Sequence, residues 1–338
     1  MKRAGTTIED LGEFGFISSI AEGCLNKPED VVQGIGDDCA VIGPFGEKVL
    51  LVTTDLLVEK VHFILNRISP EHLGEKSIAV NLSDIAAMGG NPLHVLVSIA
   101  IPPSFPVPVL DALYDGMKSI CREYNVNILG GDTSSSPAGL FINITAVGEA
   151  HSDRVLYRRG ASPGDRIYVC GTVGDSAAGL EILKGEIPVD EEDWARLIEA
   201  HTRPRPRVRE GRLIGESGLA SAMIDVSDGL VADLGHICDQ SGVGAEIEES
   251  RLPISEELTS FSRRYDLDPV EMALTGGEDY CLLVTVPQKD CERFEELLNK
   301  NGVRGVFEVG RIVAGTAVQC IRTDGKKREL SRTGFDHF

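Results

Sequence analysis

Positive charge is scarce in this chain. Its 338 residues carry 33 Lys and Arg against 53 Asp and Glu, a formal charge of −20. Surfaces that hold nucleic acid or anionic membrane depend on clustered Lys and Arg, so neither partner is expected. Long apolar runs are missing too: the longest, near 93–103, is shorter than the ~20 residues that a membrane span requires. Residues 1–10 lack the apolar stretch of a signal peptide. The eight cysteines never form a C-x-x-C pair and mostly sit in apolar runs such as Ile167-Tyr-Val-Cys170, as free buried thiols do in a reducing compartment. Together these absences predict a soluble, cytoplasmic protein.

Several chemistries lack their signatures as well. There is no Gly-x-x-x-x-Gly-Lys-Ser/Thr loop, no kinase-type glycine loop or His-Arg-Asp catalytic loop, no H-E-x-x-H and no nucleophile elbow. The seven histidines are scattered, which leaves no matched His/Cys set for a transition metal.

What is present is a chain of 42% hydrophobic residues, too apolar for disorder and too long for one average domain. Two domains are expected, 1–150 and 151–338, with the polar, glycine-bearing run His151–Asp165 as the boundary. Val49–Asp55 is β-branched and apolar, and predicts a buried strand with Asp55 at its C-terminal end. Ser69-Pro70-Glu71 is an N-cap followed by proline at the first helical position, opening a helix to Met88 on which Ser77, Asn81 and Asp84 share a face. Leu93–Ile101 predicts a strand, Val107–Tyr124 a helix, Asn127–Asp132 a short strand breaking at two glycines, and Leu140–Val147 another strand. The second half restarts with a strand over Arg166–Cys170 and a helix over Asp175–Lys184. Ala222–Asp225 and Cys281–Val286 are further strands, with a helix over Leu230–Ser241 between them. Regular helical crossovers are lacking, so the expected class is α+β.

Acidic residues recur at strand ends, four times beside glycine: Gly36-Asp37-Asp38, Thr53-Thr54-Asp55, Gly130-Gly131-Asp132, Asp225-Val226-Ser227-Asp228-Gly229 and Gly276-Gly277-Glu278-Asp279. One such turn is ordinary, because Asp beside glycine bonds its own backbone. Five of them, with the helical Asp84, imply a shared site. Converging carboxylates repel one another unless cations lie among them, and oxygen-only ligands select a hard cation. Mg²⁺ takes one or two carboxylates together with waters and substrate phosphates, and no twelve-residue calcium loop is present. Gly171-Thr-Val-Gly174 follows a strand and opens a helix; it reads equally as an anion-binding turn and as a plain strand-to-helix turn. His62 follows the Asp55 strand closely, and by itself reads as a core or loop histidine.

Taken in order, Gly34-Ile-Gly-Asp-Asp-Cys-Ala40, Thr53-Thr-Asp55, His62-Phe63, Ala79-Val-Asn-Leu-Ser-Asp-Ile-Ala-Ala-Met-Gly89, Gly130-Gly-Asp-Thr133, Gly171-Thr-Val-Gly-Asp-Ser-Ala-Ala-Gly-Leu180, Ile224-Asp-Val-Ser-Asp-Gly-Leu230 and Leu274-Thr-Gly-Gly-Glu-Asp-Tyr280 resemble the thiamine-monophosphate kinase family of the AIR synthase-like superfamily. The resemblance runs from Gly12 to Phe338. It implies ATP-dependent transfer of a γ-phosphoryl group onto thiamine monophosphate, giving thiamine diphosphate and ADP. It also implies a two-domain, PurM-like α+β architecture: an N-terminal α/β domain that dimerises, and a C-terminal α+β domain that completes the nucleotide and substrate cleft. Carried over position by position, Asp38, Thr53, Thr54, Asp55, Asp84, Asp132, Asp225 and Asp228 would bind several Mg²⁺ ions. Gly131, Asp132, Arg158, Ser227 and Tyr114 would contact ATP, with Arg159 beside Arg158 leaving that register open by one. His62, Glu278 and Phe335 would hold thiamine monophosphate. The acceptor would be a phosphate oxygen, largely ionised at neutral pH because the second pKa of a phosphomonoester is about 6. No general base is then needed, and the resemblance implies direct in-line transfer. The rivals are another ATP-dependent enzyme of the superfamily and a nucleotide-binding relative without turnover.

Overall fold

A computed structural model describes residues 7–331 and 334. The first half contains α1 (Ile8–Ile20), β1 (Val31–Gln33), β2 (Ala40–Phe45), β3 (Lys48–Val58), α2 (Pro70–Ala87), β4 (Asn91–Ile101), α3 (Val107–Glu123), β5 (Asn127–Ser135) and β6 (Phe141–His151). The second contains β7 (Arg166–Cys170), α4 (Asp175–Lys184), α5 (Ala195–Thr202), α6 (Val208–Ser217), β8 (Ala222–Asp225), α7 (Leu230–Ser241), β9 (Gly244–Glu248), α8 (Glu256–Tyr265), α9 (Pro269–Thr275), β10 (Leu282–Val286), α10 (Cys291–Lys300), β11 (Val306–Val313), β12 (Val318–Ile321) and β13 (Lys327–Glu329). The first sheet has the order β1-β2-β3-β6-β4-β5, antiparallel except for the β4–β5 pair. The second has the order β13-β12-β9-β11-β7-β10-β8, antiparallel except for β9–β12. Mixed sheets with unevenly spaced helices make an α+β protein. Among the described residues no helix is long and apolar enough to cross a membrane.

The helix α2 holds the two halves together. Ser69 caps it by accepting a hydrogen bond from His72 N, and Pro70 occupies its first turn, where a missing N–H costs nothing. Yet 14 of its 18 residues are buried, charged ones included. One side lies on α3, where a Cβ added at Gly74 would overlap the Leu113 carbonyl and one at Gly116 would overlap the Glu71 carbonyl. Its C-terminal end meets α6 at the same range, Gly211 lying against the Ala86 carbonyl. The largest apolar cluster accordingly runs from Val41 and Leu51 through Ile78, Leu82 and Ile85 to Tyr168, Leu282 and Phe294, joining both sheets in one core.

Three strands run past their predicted C-terminal ends, one of them β6, which continues from Val147 to His151. β3 continues to Val58, so Asp55 lies inside it and not at its end. The pleat then matters: Leu51, Thr53, Asp55 and Leu57 share the face toward α2, while Thr54 and Leu56 lie on the open face. β5 runs through Gly130-Gly131 to Ser135, because both glycines adopt φ +152 and absorb a register shift against Val95 and Leu96 of β4. It is an edge strand, exposed along all of its length but Ile128.

The close helix contact predicts a mutational effect. Gly74→Ala gains up to about 1 kcal/mol of helix propensity, but overpacking against backbone costs about 1–3 kcal/mol or more. Urea denaturation is expected to show a net loss of stability; a gain would mean that α2 and α3 separate freely.

Candidate active site

Three carboxylates on separate elements meet beside α2. Asp38 precedes β2, Asp84 lies in the penultimate turn of α2 and Asp225 ends β8, and one oxygen of each falls within 4.8 Å of the other two. Each is held by a named donor. Thr53 Oγ1 donates to Asp84 Oδ2 at 2.5 Å, and Ser83 Oγ donates to Asp225 Oδ2 at 2.5 Å. Arg158 Nε and Nη2 reach Asp38 Oδ1 at 3.0 and 2.5 Å, and the Arg158 backbone N–H donates to the Asp37 carboxylate. Asp38 Oδ2 is buried with no hydrogen-bond partner. The neighbouring Arg159 turns away, stacking 4.1 Å over the Tyr157 ring and donating to Gln33, so Arg158 is the one that faces the aspartates.

Asp55 and Asp228 flank this group. The Asp55 N–H donates to Asn81 Oδ1 at 3.1 Å, and Asn81 Nδ2 donates to Ser77 O. The predicted helix face is therefore real, but Asn81 serves it as an anchor for β3. Asp228 is placed by a turn whose backbone N–H groups at Ser227, Asp228 and Gly229 all donate to Asp233 Oδ2 at 3.1 Å.

The electrostatics follow from enclosure. Burial, then the charge of Asp38, pushes the Asp225 carboxyl up to about 8. Burial, then Asp38 and Asp228, pushes Asp55 up to about 6. Asp84 is raised well above the usual range by burial and by Asp55, Asp225 and Asp38, against which the Thr53 hydroxyl works. Burial raises Asp38 as well, with Arg158 opposing it. Two unit charges about 5 Å apart repel by about 3 kcal/mol at an effective dielectric of 20, so this set ionises fully only with a cation inside it. The donors are oxygen alone and include an unpartnered buried carboxylate oxygen, which fits a hard divalent ion. Asp38, Asp84 and Asp225 would hold it, with Asp55 and Asp228 beside them.

A second group lies two turns nearer the N-terminus of α2. Glu278 pairs with Lys76 and with His201, and both Glu278 and the nearby His62 are close enough to interact electrostatically. His62 Nδ1 accepts the Val58 N–H at 3.0 Å. The Glu278 N–H donates to Ser227 O at 2.7 Å, tying this loop to the Asp225–Gly229 turn. The Gly171–Gly174 turn does receive an acid, but the protein's own: Gly174 N and Ser176 N donate to Asp279 at 2.7 and 3.2 Å.

Other predicted positions lie elsewhere in one chain. Thr54 is on the open face of β3, bonded to Asn143, Thr145 and the Ile144 carbonyl. Gly131 is level with Asp55 but three strands away, through Ile144 and Val97, about 14 Å at normal strand spacing. Asp132 follows it on the exposed edge. The single-chain fold thus leaves both apart from the cluster, because β6 and β4 lie between. Tyr114 is half-buried against the main core. Phe335 lies outside the described residues; Gly334 packs on Ala232 and the Asp228 carbonyl. Four participants escaped the sequence reading: Lys76, Ser83, His201 and Asp233. For Lys76 the signal was a charged residue inside an otherwise small and apolar helical run, Lys76-Ser-Ile-Ala-Val80.

Residues 36–150 match the family of AIR synthase related protein, N-terminal domain, and residues 162–322 match the corresponding C-terminal domain. Thiamine-monophosphate kinase of Aquifex aeolicus is 40% identical over 331 residues, 98% of this chain and 99% of the relative. That of Salmonella typhimurium is 38% identical over 328 residues, 97% and 98% of the two chains. The chain belongs to the thiamine-monophosphate kinase family. Among solved members, AaThiL complexed with AMPPCP and TMP superposes with a TM-score of 0.85 at 39% identity, covering 98% of this chain and 99% of that one. The family's two-domain PurM-like architecture is therefore the architecture of this chain.

The raised carboxyls predict a pH dependence with a definite sign. A carboxyl that holds its proton more tightly when folded stabilises the fold below its unfolded pKa, and that stability is lost as pH rises through the folded value. For Asp55 and Asp225 the loss runs from about 4 upward through about 6 and about 8. Melting temperatures without divalent ions are expected to fall across this range, and millimolar Mg²⁺ to restore them more at the alkaline end than at the acid end. A metal-free melting temperature that rises from pH 5 to 8 would contradict the enclosure of these groups.

Proposed function

We propose that this chain transfers the γ-phosphoryl group of ATP onto thiamine monophosphate, yielding thiamine diphosphate and ADP. The observation that carries the reading is the enclosed Asp38–Asp84–Asp225 group beside Arg158, in a chain that matches thiamine-monophosphate kinases from end to end.

In this reading Asp38, Asp55, Asp84, Asp225 and Asp228 would hold Mg²⁺, with Thr53 fixing Asp84, the backbone near Thr54 beside them, and Asp132 joining only from a second copy. Bound Mg²⁺ supplies charge neutralisation to the phosphates and a template for their alignment. The protein's own residues do the rest. Arg158 orients Asp38 and places a guanidinium beside the phosphate site. Ser227, in the turn held by Asp233, lies next to the nucleotide. His62 and Glu278 hold thiamine monophosphate, and Phe335 offers its base an aromatic surface. The acceptor phosphate is already ionised, so positioning and charge stabilisation are the whole task and no side chain removes a proton. The transfer is direct and in line.

We also propose a homodimer built on the open face of the first sheet, where Leu56, Leu96 and Leu129 are exposed at 50%, 38% and 60%. Pairing this face with a second copy would remove these leucines from water. A composite site made by two copies would also give Gly131, Asp132 and Tyr114 a way into the nucleotide site that one chain does not offer. The domain division at 151–165 and a cytoplasmic setting, with all eight cysteines free, complete the proposal.

Incubation with ATP, Mg²⁺ and thiamine monophosphate is expected to give thiamine diphosphate; intact ATP binding with no product would refute the kinase reading. Asp84→Asn is expected to cut turnover by about 100-fold or more while raising the melting temperature of the metal-free protein. Unaltered turnover would remove Asp84 from the site. For the dimer, Leu96→Glu should shift the sedimentation coefficient from dimer to monomer, and a wild-type protein already monomeric at micromolar concentration would end that proposal.

A further inference from the structure

Lys76 is a full charge inside a buried helix. Its side chain is 1% exposed, and its Nζ stands 3.0 Å from Glu278 Oε1 and 3.1 Å from Oε2. The Glu278 side chain is 24% exposed, so it is accessible where Lys76 is not. The backbone there is costly: Glu278 and Tyr280 have φ of +63 and +48, conformations that favour glycine. They are held by hydrogen bonds from Glu278 N to Ser227 O and from Tyr280 N to Val226 O.

A second group closes on the same carboxylate. His201 Nδ1 lies 3.2 Å from Glu278 Oε2 and 3.1 Å from Ser176 Oγ. The hydrogen-bond partner of this Nδ1 is the Ser176 hydroxyl, so His201 stands against the carboxylate as a close polar neighbour. Glu278 is thereby contacted by α2 of the first half and α5 of the second.

We infer that Lys76, assisted by His201, is a positioning residue for the substrate: it keeps the Glu278 carboxylate ionised and in one orientation, facing the cationic part of thiamine monophosphate. The inference rests on the reading that Glu278 contacts this substrate. Lys76 is too enclosed to touch substrate itself and must act through Glu278. Its charge suits the task, because the thiazolium ring of the substrate is permanently positive and a neutral Glu278 would lose the attraction. Burial pushes the Glu278 carboxyl up, and Lys76, then the two histidines, more than reverse it, leaving it below the usual range. His201 itself is pushed down to about 4 by burial and by Lys76, so near neutral pH Lys76 is the cation of the pair.

Steady-state kinetics on the full-length enzyme, varying thiamine monophosphate and ATP separately, tests this. Lys76→Met is expected to raise KM for thiamine monophosphate at least about tenfold, the loss of a charge-assisted contact, with KM for ATP within about twofold of wild type. Glu278→Gln should do the same, and the double variant should be no worse than Glu278→Gln alone, since one residue acts through the other. If Lys76→Met does not fold, Lys76→Arg decides: it keeps the charge but changes its shape, and the same selective rise in KM, smaller in size, is expected. Equal rises for both substrates, or additive effects of the two single variants, would make Lys76 a strut between the halves and overturn the inference. A rise for Glu278→Gln without one for the Lys76 variants would overturn this inference alone. No rise for Glu278→Gln would overturn the substrate reading of Glu278 and the role of Lys76 with it.

Discussion

Carboxylates enclosed together repel, and the arrangement around Asp38, Asp84 and Asp225 is a response to that repulsion. These three acids come from a loop before β2, from α2 and from the end of β8, so no local turn brings them together; the packing of two sheets on one helix does. That packing stabilises the fold through apolar contact and at the same time removes the water that would screen the acids. Arg158 compensates one of them, and the Thr53 and Ser83 hydroxyls blunt two others. What remains uncompensated is the capacity to take up a hard cation and, through it, phosphate. Incomplete compensation is the physical basis of the site, and a cation bound there would relieve the repulsion and stabilise the fold.

The helix α2 sets the scale of the site. It carries Asp84 at one end and Lys76 two turns earlier, about 12 Å along the axis at 1.5 Å per residue. On the proposed function one pole would serve phosphate while the other holds Glu278, so one rigid element would grip an elongated substrate at both its phosphate and its cationic ring. The glycine contacts at Gly74, Gly116 and Gly211 keep that element from shifting against either half. Charge pairs from consecutive residues reinforce it: Glu75 binds Arg203 and Lys76 binds Glu278, both reaching into the second half.

Much of this was legible in the sequence, because glycine beside an acid at the end of an apolar run reports a backbone feature directly. The helix from Ser69 and Pro70, the strand and helix around Gly171–Gly174, and the acids at 38, 84, 225 and 228 all lie where local chemistry puts them. What was not legible depends on tertiary context. The extent of β3 past Asp55 is set by pairing with β6, and the face on which Thr54 lies follows from that register. Lys76 opens a small, apolar helical run, but its pairing with Glu278 depends on the second half covering it. The separation of Asp132 from Asp55 depends on the strand order, which places β6 and β4 between them although β5 precedes β6 in the chain.

The turn at Gly171–Gly174 shows how the same local geometry can serve opposite ends. In a phosphate-binding loop the N–H groups at a helix start face the ligand. Here the amides of Gly174 and Ser176 face Asp279, and α4 spends its positive end on the chain's own carboxyl. That contact places the 276–280 loop, and with it Glu278, but it removes the helix terminus from the choices for holding a substrate phosphate. With no P-loop lysine and no free helix start at this turn, the proposed site would meet phosphate charge through the aspartates, which are themselves negative. Metal ions would reverse the sign of such a site, and on that proposal the acidity of the whole chain is not at odds with a reaction between two phosphates.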